Sequence, residues 1–381
     1  MGATRSERNL AILQCAGLLA LSGCHHRQSA RDLDSVLLAS AMRAPASFQK
    51  LLPTPPSPPV DEANQKQLGE RFLKTEHLAE SGDAAAIVEL ARLYHGGIGT
   101  AKNPKEAFHW LSRAAEAGNA DAECGLGVTL MLGRDVPANR EEAIRYYRRS
   151  AAHGNTMAMF NLAWAYGNGT GVPHSDAEAA KWYRMGAERG NWYCMANLGY
   201  AYSCGIGVPR SDSKALSWYS AAAKAGSADG MERLADLYFF GTGVRRDYSA
   251  AANWYEQAAA AGSSKAMLYM GYINVNGLGV SKSDALGFEW FKRSAEAGNI
   301  DGLNSLAYCY EFRHGVARDL PLAAELYSIG ALRGNAYSMR TLADMYAGGY
   351  GVARDESIAA ALRSRAAVVD KQQGNGAADK P

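Results

Sequence analysis

Residues 154–190 read GNTMAMFNLAWAYGNGTGVPHSDAEAAKWYRMGAERG, one complete structural unit with the first glycine of the next. The glycines that frame it, Gly154 and Gly190, recur as Gly82, Gly118, Gly226, Gly262, Gly298 and Gly334, always 36 residues apart and without insertion or deletion. A fixed period of this size records one supersecondary unit stacked many times, each copy burying the apolar face that its neighbour leaves open.

Each recurrent residue has a physical task. After the opening glycine stands Asp83, Asn119, Asn155, Asn191, Ser227, Ser263, Asn299 or Asn335, side chains that accept from orphan amides, so a helix A starts there. Eight places after the glycine come Leu90, Leu126, Leu162, Leu198, Leu234, Met270, Leu306 and Leu342, then always Ala or Gly, and Tyr fills the twelfth place in six units. Together these positions make one buried helical face. Helix A should stop at Gly97, Gly133, Gly169, Gly205, Gly241, Gly277 and Gly349, because glycine reaches left-handed backbone at little cost, and only Arg313 departs. Asn103, Asn139, Ser175, Ser211, Asp247, Ser283, Asp319 and Asp355 then cap a helix B, which carries ring pairs such as Trp182-Tyr183 and Trp254-Tyr255 and closes on an alanine, Ala115 to Ala367. Alanine lets helices approach while the rings fill the gaps between layers.

The unit Gly-Asn-x-x-Ala-x-x-x-Leu-Gly-x-x-Tyr-x-x-Gly-x-Gly-Val, with a later Ala-x-x-Trp-Tyr-x-x-x-Ala-x-x-Gly, resembles the Sel1-like repeat, a longer relative of the tetratricopeptide repeat. The resemblance covers residues 82–370 as eight units. It implies an all-α chain, a right-handed α-solenoid of 36-residue helix-turn-helix repeats used by relatives as an adaptor or assembly scaffold. The second unit has Asp135 for a turn glycine, and the seventh has Arg313 and Leu326 at atypical places. The eighth, with Arg363 where others show a ring, reads as a C-terminal cap, residues 61–81 as an N-terminal capping helix and residues 371–381 as a disordered tail.

The first 24 residues have the pattern of an export signal: Arg5 and Arg8, an apolar stretch from Leu10 to Leu21 too short to span a bilayer, then Leu21-Ser22-Gly23-Cys24. Those four residues resemble a bacterial lipobox, which implies acylation of Cys24 and a lipid anchor in the membrane. His25 stands where the inner-membrane retention rule of such proteins needs Asp, which implies the outer membrane, facing the periplasm. Residues 25–60 are expected to be a tether with at most one short helix between Arg31 and Leu52. Its Pro53 to Pro59 run favours polyproline II, which would hold the fold roughly 20 Å away.

Charge excludes one class of partner, since 40 basic against 38 acidic side chains leave +2 and no electrostatic footprint for nucleic acid. No cofactor is implied. The histidines lack the spacing of a helix-borne metal site, so no metal is expected, and His25-His26 alone is a weak case. Ser211-Asp212-Ser213-Lys214 matches the Ser-x-x-Lys of penicillin-recognising enzymes, and some cysteine-rich Sel1-like proteins have been associated with β-lactams. Ser211 nevertheless occupies a helix-cap place, and the partner motifs Ser-Asp-Asn and Lys-Thr-Gly are absent. Cys124, Cys194, Cys204 and Cys309 sit too far apart to pair, the two in one unit being ten residues along a single helix, so free thiols are expected.

A partner surface is expected on helix A opposite its buried face. The third and fourth units place Asn161, Trp164, Tyr193, Asn197 and Tyr200 there, the fifth Arg233, Asp236 and Phe240, and the sixth and seventh Tyr269, Tyr272 and Tyr308. Rings and amides on such a face suit peptide or sugar recognition. The reading is a non-catalytic envelope scaffold that recruits another envelope protein. The alternatives are a module associated with exopolysaccharide export or glycans and, more remotely, a β-lactam-binding protein.

Overall fold

The computed structural model describes residues 27–49, 62–133 and 136–378. The expected signal peptide with Cys24, the Pro53 to Pro59 run, Asp135 and residues 379–381 lie outside them. Every element is a helix among the described residues: α1 (Arg27–Ala41), α2 (Ala46–Gln49) and α3 (Glu62–Glu80) precede the repeats. The helix pairs follow as α4 (Ala84–Gly96) and α5 (Pro104–Glu116), α6 (Ala120–Leu132) and α7 (Arg140–Ala152), α8 (Thr156–Asn168) and α9 (Asp176–Glu188), then α10 (Trp192–Cys204) and α11 (Asp212–Lys224). The second half continues with α12 (Ala228–Phe240) and α13 (Tyr248–Ala260), α14 (Ser264–Asn276) and α15 (Asp284–Glu296), α16 (Ile300–Phe312) and α17 (Leu320–Leu332), and α18 (Ala336–Gly348) and α19 (Glu356–Ala378).

The capping rules operate as the residues dictate. Every helix A from α4 to α18 starts behind its Asp, Asn or Ser, whose side chain accepts from the amide three residues on, as Asn155 does from Ala158 at 2.8 Å. The B helices repeat the device, down to Asp355, which accepts from the Ile358 amide at 3.1 Å. Each A helix ends on a left-handed residue, and Arg313 adopts that backbone too, with φ of 64°, alone among the described non-glycine residues. The second turn glycine has a further reason. At Gly207 (φ 68°) an added Cβ would overlap the carbonyl of Asp176, so the turn between α10 and α11 rests on the start of the preceding helix B.

The helices pack as two compact units. The N-terminal unit, residues 58–246, holds α3 to α12. Its α3 packs on the first repeat: Phe72 meets Tyr94 edge to face at 5.2 Å between centroids, and Glu76 accepts from the Tyr94 hydroxyl at 3.1 Å. The same tyrosine position is held again further along the array, where Arg148 donates to Tyr166 at 2.8 Å and Arg184 donates to Tyr202 at 2.9 Å. A tyrosine of helix A is thereby fastened to the helix before it.

The C-terminal unit joins residues 247–381 to the chain's first segment, and here the expected tether is corrected over residues 27–49. Leu33, Leu37, Ala41, Ala44 and Phe48 are buried in one core with Leu326, Ile329, Leu362 and Ala366. Asp34 pairs with Arg365 of α19, and Arg43 Nε lies 3.2 Å from Glu325 Oε1 of α17. The physical reason lies in the seventh helix B. Where other B helices present Trp182, Arg148 and Arg149, α17 presents Leu326, Ser328 and Ile329, all fully buried. Its outer side is therefore apolar and needs a cover. The tail is corrected as well, because α19 continues past Asp370 to Ala378.

Candidate functional site

In the C-terminal unit, α14, α16 and α18 shape a groove of about 800 Å³. The tenth place of helix A, expected to face outward, supplies Tyr272 and Tyr308, both exposed. Tyr269 also lines the groove but is half-buried, because its ring stacks on Tyr255 of α13 at 5.0 Å and 11°. Tyr272 is set edge to face against Phe291 at 5.2 Å, and its hydroxyl lies 3.1 Å from Ser305 Oγ. Tyr308 stacks on His314 at 5.4 Å and 6°.

Sequence reasoning missed the polar half of this groove. Asp301, Asn304, Ser305, His314 and Tyr337 line it; Asn304, Ser305 and His314 stand at places where every other repeat carries a different residue, whereas the place of Asp301 and Tyr337 also holds Asp121, Tyr193 and Asp229. The signal was available only as an excess of amide and hydroxyl groups in one repeat. Asn304 is buried and fixed: it donates to Asn335 Oδ1 at 3.2 Å and accepts from Ser338 Oγ at 2.6 Å. Cys309 also lines the wall, and burial pushes its thiol up to about 12, so it contributes a neutral, weakly polar surface. The lining residues carry one carboxylate and no Lys or Arg. The arrangement can hold an extended segment by ring contact and amide hydrogen bonds.

In the N-terminal unit the other expected residues lie on α8, α10 and α12. Trp164, Tyr193, Tyr200 and Phe240 are exposed. Asn161, Asn197, Arg233 and Asp236 are half-buried and engaged, which corrects their expected exposure. Asn161 donates to Cys124 Sγ at 3.6 Å and Asn197 to the Tyr193 carbonyl at 2.8 Å, while Arg233 Nε lies 3.4 Å from Asp229 and Asp236 also has its own partners. Tyr193 is stacked on Trp192 at 3.5 Å and tilted on Phe160 at 5.6 Å, so it belongs to a small ring cluster of its own. Tyr200 shares a hydrogen bond with the Cys204 thiol, which pushes its hydroxyl up. The expected residues thus fall into separate groups in separate units. A second pocket of about 300 Å³, missed in the sequence, lies between α4, α5 and α6, where Gly125 leaves room beside Leu111 and Val128.

Ser211 serves as a helix cap, accepting from the Lys214 amide at 3.4 Å. The Lys214 ammonium lies over the Tyr202 ring at 5.1 Å. Cys124, Cys194 and Cys309 are buried free thiols and Cys204 an exposed one. Among the described residues no group of three or more His, Cys, Asp or Glu could hold a metal ion, and no helix is long and apolar enough to cross a membrane.

The Sel1 repeat family profile matches eight consecutive segments, beginning at residues 84–119 and ending at 336–367. The chain belongs to the Sel1 repeat family. Repeats of this family generally mediate protein–protein interaction. Two solved Sel1 structures are similar. A protective antigen present in uropathogenic Escherichia coli is 34% identical with a TM-score of 0.65, over 78% of this chain and 64% of its own. The present chain therefore spans under two thirds of that antigen's length. A Sel1 repeat protein from Oxalobacter formigenes is 28% identical with a TM-score of 0.61, over 85% of this chain and 98% of that one. No curated protein matches the chain.

Proposed function

We propose that this Sel1 protein is a non-catalytic scaffold of the bacterial envelope, anchored through Cys24 to the outer membrane on the periplasmic side, which holds an extended segment of another envelope protein. The observation that carries the reading is the groove of about 800 Å³ with Tyr269, Tyr272, Phe291, Tyr308 and Tyr337 on its walls and the fixed amide of Asn304 beside them. Rings of this kind hide apolar area at low entropy cost, and backbone groups of a bound segment find partners in the amides. Recognition of a similar chain as a protective antigen supports placement outside the cytoplasm.

The test is a photo-cross-linking residue introduced at position 308 in intact cells, with Lys292 of α15 as the control position. Defined protein adducts at 308 that vanish when Tyr272 is changed to Ala are expected. Recovery of glycan with no protein adduct would replace this reading by the polysaccharide-associated one. Mass measurement of the mature N-terminus tests the anchor, the expected outcome being an acylated Cys24.

A further inference from the structure

We propose that the outer face of α17 is a helix-binding site and that residues 27–48 of the same chain are its separable ligand, held in place without being part of the repeat core. Three observations carry this. The site is built for an apolar ligand: where α7 carries Arg148 and Arg149 and α15 carries Lys292 and Arg293, α17 has Ser328 and Ile329, and Leu326 replaces the usual Trp. The α11 helix also has an uncharged pair there, Ser220 and Ala221, but it keeps Trp218 and that pair is only half-buried, whereas Leu326, Ser328 and Ile329 are fully buried. Without α1 those groups would face water at a cost of about 1.5–3 kcal/mol for each large apolar side chain.

The ligand has the matching pattern. Leu33, Leu37, Ala41, Ala44 and Phe48 are buried, whereas Ala39, Arg43, Pro45 and Ser47 on the same segment are exposed. Leu33, Leu37 and Ala41 are spaced by four, which is one stripe of a helix. The two ion pairs give the docking a direction. Asp34 meets Arg365 of α19 and Arg43 meets Glu325 of α17, so the segment runs from the last B helix to the one before it, against the order of the repeats. A stripe of apolar anchors laid across facing helices with charge pairs at the rim is the helix-in-groove mode of peptide recognition.

The segment is also separable by topology. It precedes α3 and the whole N-terminal unit in the chain, yet it packs on repeats that follow them. The 36-residue motif does not extend to it, and the Sel1 profile begins only at residue 84.

The test uses the full chain with a protease site inserted between residues 50 and 61. After cutting, the N-terminal fragment is expected to co-elute with the repeats in gel filtration, and a labelled synthetic peptide of residues 27–49 is expected to exchange into the cut complex in a saturable manner. Leu37→Asp should weaken retention of the fragment by roughly a hundredfold, the scale of losing a fully buried leucine. Hydrogen exchange in α17 should rise with it. Separation of the wild-type fragment on cutting, or co-elution with no exchange of the peptide, would overturn the proposal. The wild-type arm does not depend on the folding of any variant.

Discussion

Arg184 of α9 donates to the Tyr202 hydroxyl of α10 across 2.9 Å, and Arg148 of α7 makes the same bond to Tyr166 of α8 at 2.8 Å. These contacts join one repeat to the next, where an array is held by nearest-neighbour interfaces alone. Tyr202→Phe should lower stability by about 1 kcal/mol, since the ring still packs and one hydrogen bond is lost. In a double-mutant cycle with Arg184→Met the two changes should be non-additive, and additive losses in urea unfolding would show that the bond contributes nothing.

Arg313 holds left-handed backbone, φ 64°, where seven other A helices use glycine. For a residue with a Cβ this conformation costs roughly 1–2 kcal/mol. Arg313→Gly should therefore stabilise the C-terminal unit by about 0.5–1 kcal/mol, the gain being reduced by the greater freedom of glycine in the unfolded chain. A lowered thermal midpoint for this variant would mean that the arginine side chain supplies more than its backbone strains.

Much of the fold was legible because it is local. Caps, stop residues and the buried face of helix A are decided within a few residues, and the 36-residue step repeats them until chance is excluded. The covering of α17 was not legible in the same way. Its signal is Leu326 in place of the usual Trp together with Ile329 where α7 has Arg149, a change that leaves apolar side chains on the outer side of α17 but does not say that their cover lies some three hundred residues earlier in the chain. The candidate groove was half legible. Tyr272 and Tyr308 follow from helical periodicity, but Asn161 and Arg233 obey the same periodicity and are engaged by Cys124 and Asp229, a fact set by side chains beyond the motif.

Ser211 offers a direct trial of cap against nucleophile. Ser211→Ala should cost about 1 kcal/mol, and Ser211→Asn, another good cap, should restore most of it. A hydroxyl acting on substrate would be rescued by neither. Retained stability in the Ala variant, or acylation of the wild-type protein by a β-lactam that disappears in both variants, would reverse the assignment.

The buried thiols predict how the protein responds to alkali. Cys124, Cys194 and Cys309 are each pushed up to about 12 by burial, against an ordinary value near 9. Above pH 9 the unfolded chain gives up these protons while the folded chain keeps them, so the unfolded state binds fewer protons and stability falls with rising pH between about 9 and 12. Below that window the groups are protonated in both states and exert no pull. Thermal midpoints taken at steps from about pH 8 to about pH 10.5 should fall, and Cys194→Ala should flatten the slope while removing part of the packing against Gly186. Reactivity gives the second readout. At about pH 8 a maleimide, located by peptide mass mapping, should modify exposed Cys204 first and reach the three buried thiols only as fast as their repeats open. Equal labelling of Cys194 and Cys204 in the folded protein would contradict the packing of α10 against its neighbours.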